Sequence, residues 1–174
     1  METLEAITKR YSCRKFTSEP ISEENLQTIL QAGMAAPVGT GAYDSLHFTV
    51  IQNKTFLNEI GEAVSAMMEK ILGRKMDKNF NEAALVVVSA KPGTMPGIEM
   101  ANAGCVLENM LIAATSLGID NIIHGGAAMA ISQNADMLAR LNLPEGFKPV
   151  LCASFGYAAE KENTKEHTIT VNRF

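Results

Sequence analysis

The feature that most constrains the fold is a short apolar run near the middle of the chain, Ala84 to Ala90. Leu85 and the three valines that follow it would give an extended segment apolar side chains on both faces. A strand of this kind is stable only when neighbouring elements cover both of its faces. The run therefore predicts a central strand in a sheet that carries helices on each side.

Patterns on either side of this run supply the other elements. Apolar residues at helical spacing and capping residues predict helices over Thr3–Lys9, Ser22–Met34, a segment that begins after Asn53, Ile98–Leu117, and a short segment from the cap Ser132 to about Leu141. β-Rich runs predict strands over Leu46–Ile51, Asn121–His124 and Val150–Phe155. The alternating pattern of His167–Val171 predicts a final edge strand, which could also be added to the sheet of a partner subunit. Two helices precede the first strand, an order that favours an α+β fold over a doubly wound one.

The segment Ile98–Leu117 is apolar or small around most of its circumference. Its polar residues form one narrow stripe, which consists of Asn102, Glu108, Asn109, Thr115 and Ser116. A helix of this kind is buried on most sides. We expect the sheet to cover one face and a second subunit to cover another, with burial inside a single monomer as the alternative.

Composition limits the classes of protein to which the chain can belong. Its 174 residues, 47% of them apolar, suit a single domain over residues 1–174. The formal net charge of −4 disfavours nucleic acid as a partner. No apolar run approaches the roughly 20 residues that a membrane span needs, and the N-terminus lacks a signal-peptide pattern. Cys105 and Cys152 have apolar neighbours, as expected for core thiols in a reducing compartment. We therefore expect a cytoplasmic protein.

Most motifs that carry chemistry do not match this chain. Gly39-Thr40-Gly41 leads into a strand instead of following one, which argues against a dinucleotide-binding turn. The histidines His47, His124 and His167 lie far apart, without the spacing of metal ligands. No metal site and no catalytic side chain are therefore predicted.

One candidate anion site stays after these exclusions, and it consists of Arg10, Ser12 and Arg14. An extended backbone would point these alternating side chains the same way. Two guanidinium groups and a hydroxyl that converge on one spot bind a phosphate dianion. The alternative is a solvated turn between two helices.

The same segment belongs to a set of motifs that occur together in a known family. Arg10-Tyr11-Ser12-Cys13-Arg14-Lys15-Phe16 resembles the flavin-binding signature of the nitroreductase family, Arg-x-Ser-x-Arg/Lys followed by an aromatic residue. Further motifs follow in the family's order, namely Ala36-Pro37, Leu117-Gly118-Ile119, Phe155-Gly156-Tyr157 and Arg173. The resemblance implies a central mixed, mainly antiparallel sheet sandwiched by helices, in a homodimer.

The resemblance also implies FMN as the cofactor, bound at the interface of the homodimer. Arg10, Ser12 and Arg14 would hold the phosphate and ribityl chain, and Arg173 would add a charge to the phosphate. The turn that contains His124, Gly125 and Gly126 would lie near the isoalloxazine, and Lys78 or Asn79 near its pyrimidine edge. The chemistry would occur at flavin N5, in a ping-pong reaction that passes electrons from NADH or NADPH to a small nitroaromatic or quinone acceptor.

The match departs from the family pattern after Ala-Pro. Residues 38–48 share almost none of the usual sequence there, which leaves acceptor specificity open. The chain is also shorter than many family members and has little room for the helical insertion that often covers the substrate, so we expect an open, permissive site. Three alternatives therefore stay beside the oxidoreductase. They are an FMN-binding carrier or redox sensor, a specialised flavin-modifying or dehalogenating family member, and a small binding module without flavin.

Overall fold

The computed structural model describes residues 1–73, 81–93, 95–160 and 167–174. In chain order the helices and strands are α1 (Thr3–Lys9), α2 (Glu23–Met34), β1 (Leu46–Ile51), α3 (Lys54–Leu72), β2 (Ala84–Ala90), α4 (Ile98–Ser116), β3 (Asp120–His124), α5 (Gly125–Gln133), α6 (Ala135–Arg140) and β4 (Lys148–Gly156). Two single 3₁₀ turns, Gly39–Gly41 and Tyr43–Ser45, connect α2 to β1. No helix in the described part of the chain is both long enough and apolar enough to cross a bilayer.

The four strands form one sheet in the order β1-β2-β4-β3. Each neighbouring pair is antiparallel. The pairing of β2 with β4 has a register shift between Val88 and Ser89. The only parallel element among the described residues is an isolated bridge between Ser12 and Asn121, which extends the sheet beyond β3. The predicted α+β fold with a mainly antiparallel sheet between helices is confirmed.

Strand β2 lies inside the sheet, and every one of its residues is buried. Val86 and Val88 belong to the core that β2 shares with α2 and α4. Leu85 and Val87 belong to a second core, on the opposite face, which α3 and α5 cover. The run is apolar at successive positions because neighbouring side chains of a strand point into opposite cores, as predicted from the sequence.

Helix α4 is buried on the side of the sheet and α2, but its polar residues do not form a solvent-facing stripe. Asn102 is buried, and its Oδ1 accepts a hydrogen bond of 2.9 Å from the backbone N–H of Gly39. Asn109 Nδ2 donates to the carbonyl of Ala32 at 3.1 Å. Cys152 is buried as predicted, whereas Cys105 is exposed and the prediction for it was wrong, because it lies on the outer face of α4. Whether a second subunit covers that face stays a prediction.

Two further predictions differ from the structure near the C-terminal half. Ser132 is not a helix cap: it lies inside α5, where its Oγ donates to the carbonyl of Ala128 at 2.8 Å. The cap of α6 is Asn134, whose Oδ1 accepts from the N–H groups of Asp136 and Met137. Residues 167–174 contain no strand within this chain, so the edge strand His167–Val171 stays a prediction that needs a partner.

Candidate functional site

The basic segment after α1 is held by the edge of the sheet. The backbone turns extended at Arg10, and Ser12 forms a parallel bridge with Asn121 of β3. The Cys13 N–H donates to the Asn121 carbonyl at 3.0 Å. Phe16, which is buried, forms a second bridge with Ala158. Because the sheet fixes the backbone at both ends, the side chains between the two bridges have a defined position.

The predicted anion-binding residues are only partly brought together. Cys13 points into the core, whereas Ser12 is half-buried and Arg14 is exposed. The Arg14 guanidinium folds back, and its Nη1 donates to the Ser12 carbonyl at 3.1 Å. Arg10 is half-buried at the end of α1, two residues before Ser12. The structure therefore joins Ser12 and Arg14 directly and sets Arg10 at the start of the same segment.

The two lysines that flank these arginines each pair with a carboxylate. Lys9 bonds Glu5 one helical turn earlier at 2.6 Å, and this contact lowers the pKa of Glu5. Lys15 pairs with Glu160 at 3.2 Å. Both lysines thus have a carboxylate partner within the chain.

The second part of the site is the junction between β3 and α5, where the helix follows the strand without an intervening loop. The first N–H groups of a helix have no partner within it and carry partial positive charge. A Cβ atom on Gly126 would lie 3.1 Å from Met68 Cε and 3.6 Å from Val64 Cγ1. A Cβ on Gly125 would meet only Leu151 Cδ1, at 4.0 Å. The missing side chain of Gly126 thus allows α5 to approach α3. The missing side chain of Gly125 instead leaves open space at the protein surface, at the start of α5.

His124 ends β3 with its side chain partly buried. It stands opposite Cys152 in the β3–β4 ladder, and Cys152 belongs to the core under α3 and α5. Burial lowers the pKa of His124 to about 4, so its imidazole is neutral at physiological pH. Burial also raises the pKa of the Cys152 thiol, which keeps that group protonated. His124 therefore contributes no positive charge to the junction.

The basic segment and the junction lie along the same strand. Ser12 and Cys13 contact β3 at Asn121, three residues before His124. Three residues of extended backbone span about 10 Å. This separation suits a ligand with an anionic group at one end and a flat ring at the other.

Other predicted contacts are not brought to this place. Arg173 lies in the exposed tail 167–174, and nothing in the described part of the chain ties it to Arg10, Ser12 or Arg14. Lys78 and Asn79 lie outside the described residues. The role of Arg173 at the anion site therefore stays a prediction.

A cavity that was not predicted from the sequence lies beside the atypical segment 38–48. The cavity has a volume of about 340 Å³ and is lined by Gly33, Met34, Val38, Tyr43, Leu46, His47, Phe48 and Val106. The Tyr43 hydroxyl donates to the Ala36 carbonyl at 3.2 Å, which fixes the loop over the end of α2. In the sequence, the cluster of aromatic and histidine residues between positions 43 and 48 was the feature that could have indicated this cavity.

A buried carboxyl group was missed as well. Glu82 precedes β2, is 1% exposed, and accepts a hydrogen bond of 2.9 Å from the Ser154 hydroxyl. Burial raises the pKa of Glu82 above its usual value. Lys54 Nζ donates to the Glu82 backbone carbonyl at 2.7 Å. A single Glu before an apolar run gives no indication of such burial in the sequence.

Comparison with known proteins agrees with this geometry. A crystal structure of a nitroreductase with bound FMN from Bacteroides fragilis is 30% identical, with a TM-score of 0.83 over 100% of this chain and 97% of that chain. A nitroreductase with bound FMN from Desulfitobacterium hafniense is 29% identical, with a TM-score of 0.84 over 99% of this chain and 100% of that chain. An NADPH-flavin oxidoreductase of Vibrio harveyi is 26% identical over 168 residues, which cover 94% of this chain and 68% of that protein.

The sequence model of one family, described as the nitroreductase family, matches residues 7–157. The matched range includes the basic segment, the whole sheet and the junction between β3 and α5. The chain belongs to the nitroreductase family.

Proposed function

We propose that the protein is an FMN-dependent oxidoreductase that passes electrons from NADH or NADPH to a small organic acceptor of the nitroaromatic or quinone type. The observation that carries this proposal is the hydrogen bond from Cys13 N–H to the Asn121 carbonyl. This bond holds the basic segment about 10 Å along β3 from the N-terminus of α5. The FMN-bound relatives and the NADPH-flavin oxidoreductase support the cofactor and the donor.

The chemistry of the donor set fits the phosphate of FMN. We assign Arg10, Ser12 and Arg14 to the phosphate and ribityl chain. A guanidinium group offers planar N–H donors that match phosphate oxygens, and the hydroxyl of Ser12 adds a neutral donor. The Arg14 side chain is exposed to solvent.

We assign His124, Gly125 and Gly126 to the flavin ring. Bound FMN supplies the redox chemistry, since it accepts a hydride equivalent from the nicotinamide and gives the electrons to the acceptor. The N–H groups at the start of α5 are oriented donors for the polar edge of a ring. The missing Cβ of Gly125 permits a flat group to approach the backbone closely. No side chain of the protein then needs to act as acid or base.

We further propose a homodimer, in which the tail 167–174 of one subunit packs on the other. Ile169, Val171 and Phe174 are largely exposed in the single chain, at 87%, 72% and 118%. Exposed apolar side chains at a chain end favour a partner surface. A tail placed across the interface gives Arg173 access to a phosphate bound by the partner. The cytoplasmic location stays a prediction.

Initial-rate kinetics test the function and its mechanism together. NADH or NADPH and 1,4-naphthoquinone are varied in turn with the FMN-loaded protein. Parallel double-reciprocal lines are expected, because donor and acceptor use the same site in succession. Intersecting lines would contradict the ping-pong mechanism. An FMN-loaded protein that neither donor reduces would instead be a carrier or sensor, or a specialised family member.

A further inference from the structure

Helix α3 extends past the N-terminus of α5. The N-terminal half of α3, with Leu57 and Ile60, shares a core with Ile131 near the end of α5. Its C-terminal half, with Val64 and Met68, contacts Gly126 at the start of α5. The two helices therefore run antiparallel. Since α3 continues for four residues beyond Met68, its last turn projects about 6 Å past that contact.

This last turn has an apolar face, which we call the α3 ledge and which consists of Met68, Ile71 and Leu72. Residues three and four positions apart share one face of a helix. Ile71 is 61% exposed and Leu72 is 51% exposed, whereas Met68 is partly buried against Gly126. The charged side chains of Glu69 and Lys70 fall on the other side of the turn. The ledge thus offers an uncharged surface at the junction between β3 and α5.

We propose that the α3 ledge binds the apolar face of the electron acceptor, so that the enzyme prefers fused-ring quinones and nitroaromatics to small or charged acceptors. This assignment rests on the proposed function, which sets the flavin ring at the same junction. An acceptor must lie against that ring to be reduced, and the ledge borders the space beside it. Methionine also forms favourable contacts with aromatic rings. For a quinone the overall reaction balances as NAD(P)H + H⁺ + quinone → NAD(P)⁺ + hydroquinone.

The test replaces exposed ledge residues by a polar residue that keeps the helix intact. Leu72→Gln and Ile71→Gln are suitable, because glutamine is a good helix former and both positions are exposed. Leu117→Gln is the matched control: it follows α4 at the opposite end of β3 and is 39% exposed. Two readouts are compared in FMN-loaded protein. They are the ratio of the KM values for 1,4-naphthoquinone and ferricyanide, and the Kd of 2-naphthol, which is not reduced, by calorimetry.

Each ledge variant is expected to raise the Kd of 2-naphthol and the naphthoquinone-to-ferricyanide KM ratio about five- to tenfold, the effect of losing about 50 Å² of apolar contact. Leu117→Gln should leave both values unchanged. An unchanged Kd in the ledge variants, with normal FMN binding, would overturn the ledge assignment alone. Light scattering that shows dissociation of a dimer in those variants would also overturn it, because a second copy would then cover the ledge. Failure of the unmodified protein to bind FMN would overturn the proposed function and the ledge with it.

Discussion

Replacement of Gly33 by alanine tests the packing that supports the cavity and the segment after α2. Gly33 lies in α2 where this helix packs on α4. A Cβ atom at this position would lie 2.2 Å from Met110 Cε and 2.8 Å from Met110 Cγ. Met110 is fully buried, so its side chain has no solvent to move into. The substitution therefore forces α2 and α4 apart or Met110 into another rotamer.

The size of the effect follows from two opposing contributions. Overpacking of a core costs about 1–3 kcal/mol, and a clash at 2.2 Å belongs to the upper part of that range. Alanine in place of glycine inside a helix contributes about 1 kcal/mol of stability. We expect Gly33→Ala to lower the free energy of unfolding by about 1–2 kcal/mol, as the difference of these values. Urea denaturation at fixed protein concentration measures it.

The background Met110→Ala provides the control. With the methionine side chain removed, the added Cβ has room, and Gly33→Ala should then raise the free energy of unfolding by up to about 1 kcal/mol. Such a change of sign identifies Met110 as the cause. A Gly33→Ala variant that is more stable than the unmodified protein in both backgrounds would refute the packing described for α2 and α4.

Three further predictions concern the site, the charge state and the assembly. Arg14→Ala should weaken FMN binding roughly 10- to 100-fold in fluorescence titrations. Riboflavin, which has no phosphate, should bind equally well to the variant and to the unmodified protein. Equal losses of affinity for the two flavins would contradict the phosphate assignment. His124 binds a proton near pH 6.5 in the unfolded chain but only near pH 4 in the folded protein. The free energy of unfolding should therefore fall by up to about 3 kcal/mol as the pH is lowered through this window. A His124→Asn variant with the same pH dependence would exclude this residue as the cause. Removal of residues 167–174 should convert the dimer to a monomer in light scattering and weaken FMN binding, and a truncated chain that stays dimeric would disprove the role of the tail.

Elements whose ends carry local interactions were predicted closely from the sequence. The bounds of α1, β1 and β2 agree with the structure. Ser22 and Asn53 cap α2 and α3 through side-chain hydrogen bonds to the N–H groups of Asn25 and Phe56. The two caps depend on residues within one turn of each other, so the local sequence is sufficient to indicate them.

Features that depend on distant packing were not predicted. Gly125-Gly126 was interpreted as a turn, yet both glycines open α5, and a Cβ on Gly126 would lie only 3.1 Å from Met68 Cε of α3. Cys105 was placed in the core because α4 is apolar nearly all round, and only the tertiary structure shows which face is outside. The same limit applies to the site: Ser12 and Arg14 are close in sequence, whereas the role of Arg173 stays a prediction.

Anaerobic reduction of the FMN-reconstituted protein tests whether it is an FMN-dependent NAD(P)H oxidoreductase. The absorbance of bound flavin is recorded before and after addition of one equivalent of NADH or NADPH. We expect bands of oxidised flavin that bleach with at least one donor and return when 1,4-naphthoquinone is added. Flavin bands that persist with both donors, or a protein that stays colourless after incubation with FMN, would contradict it.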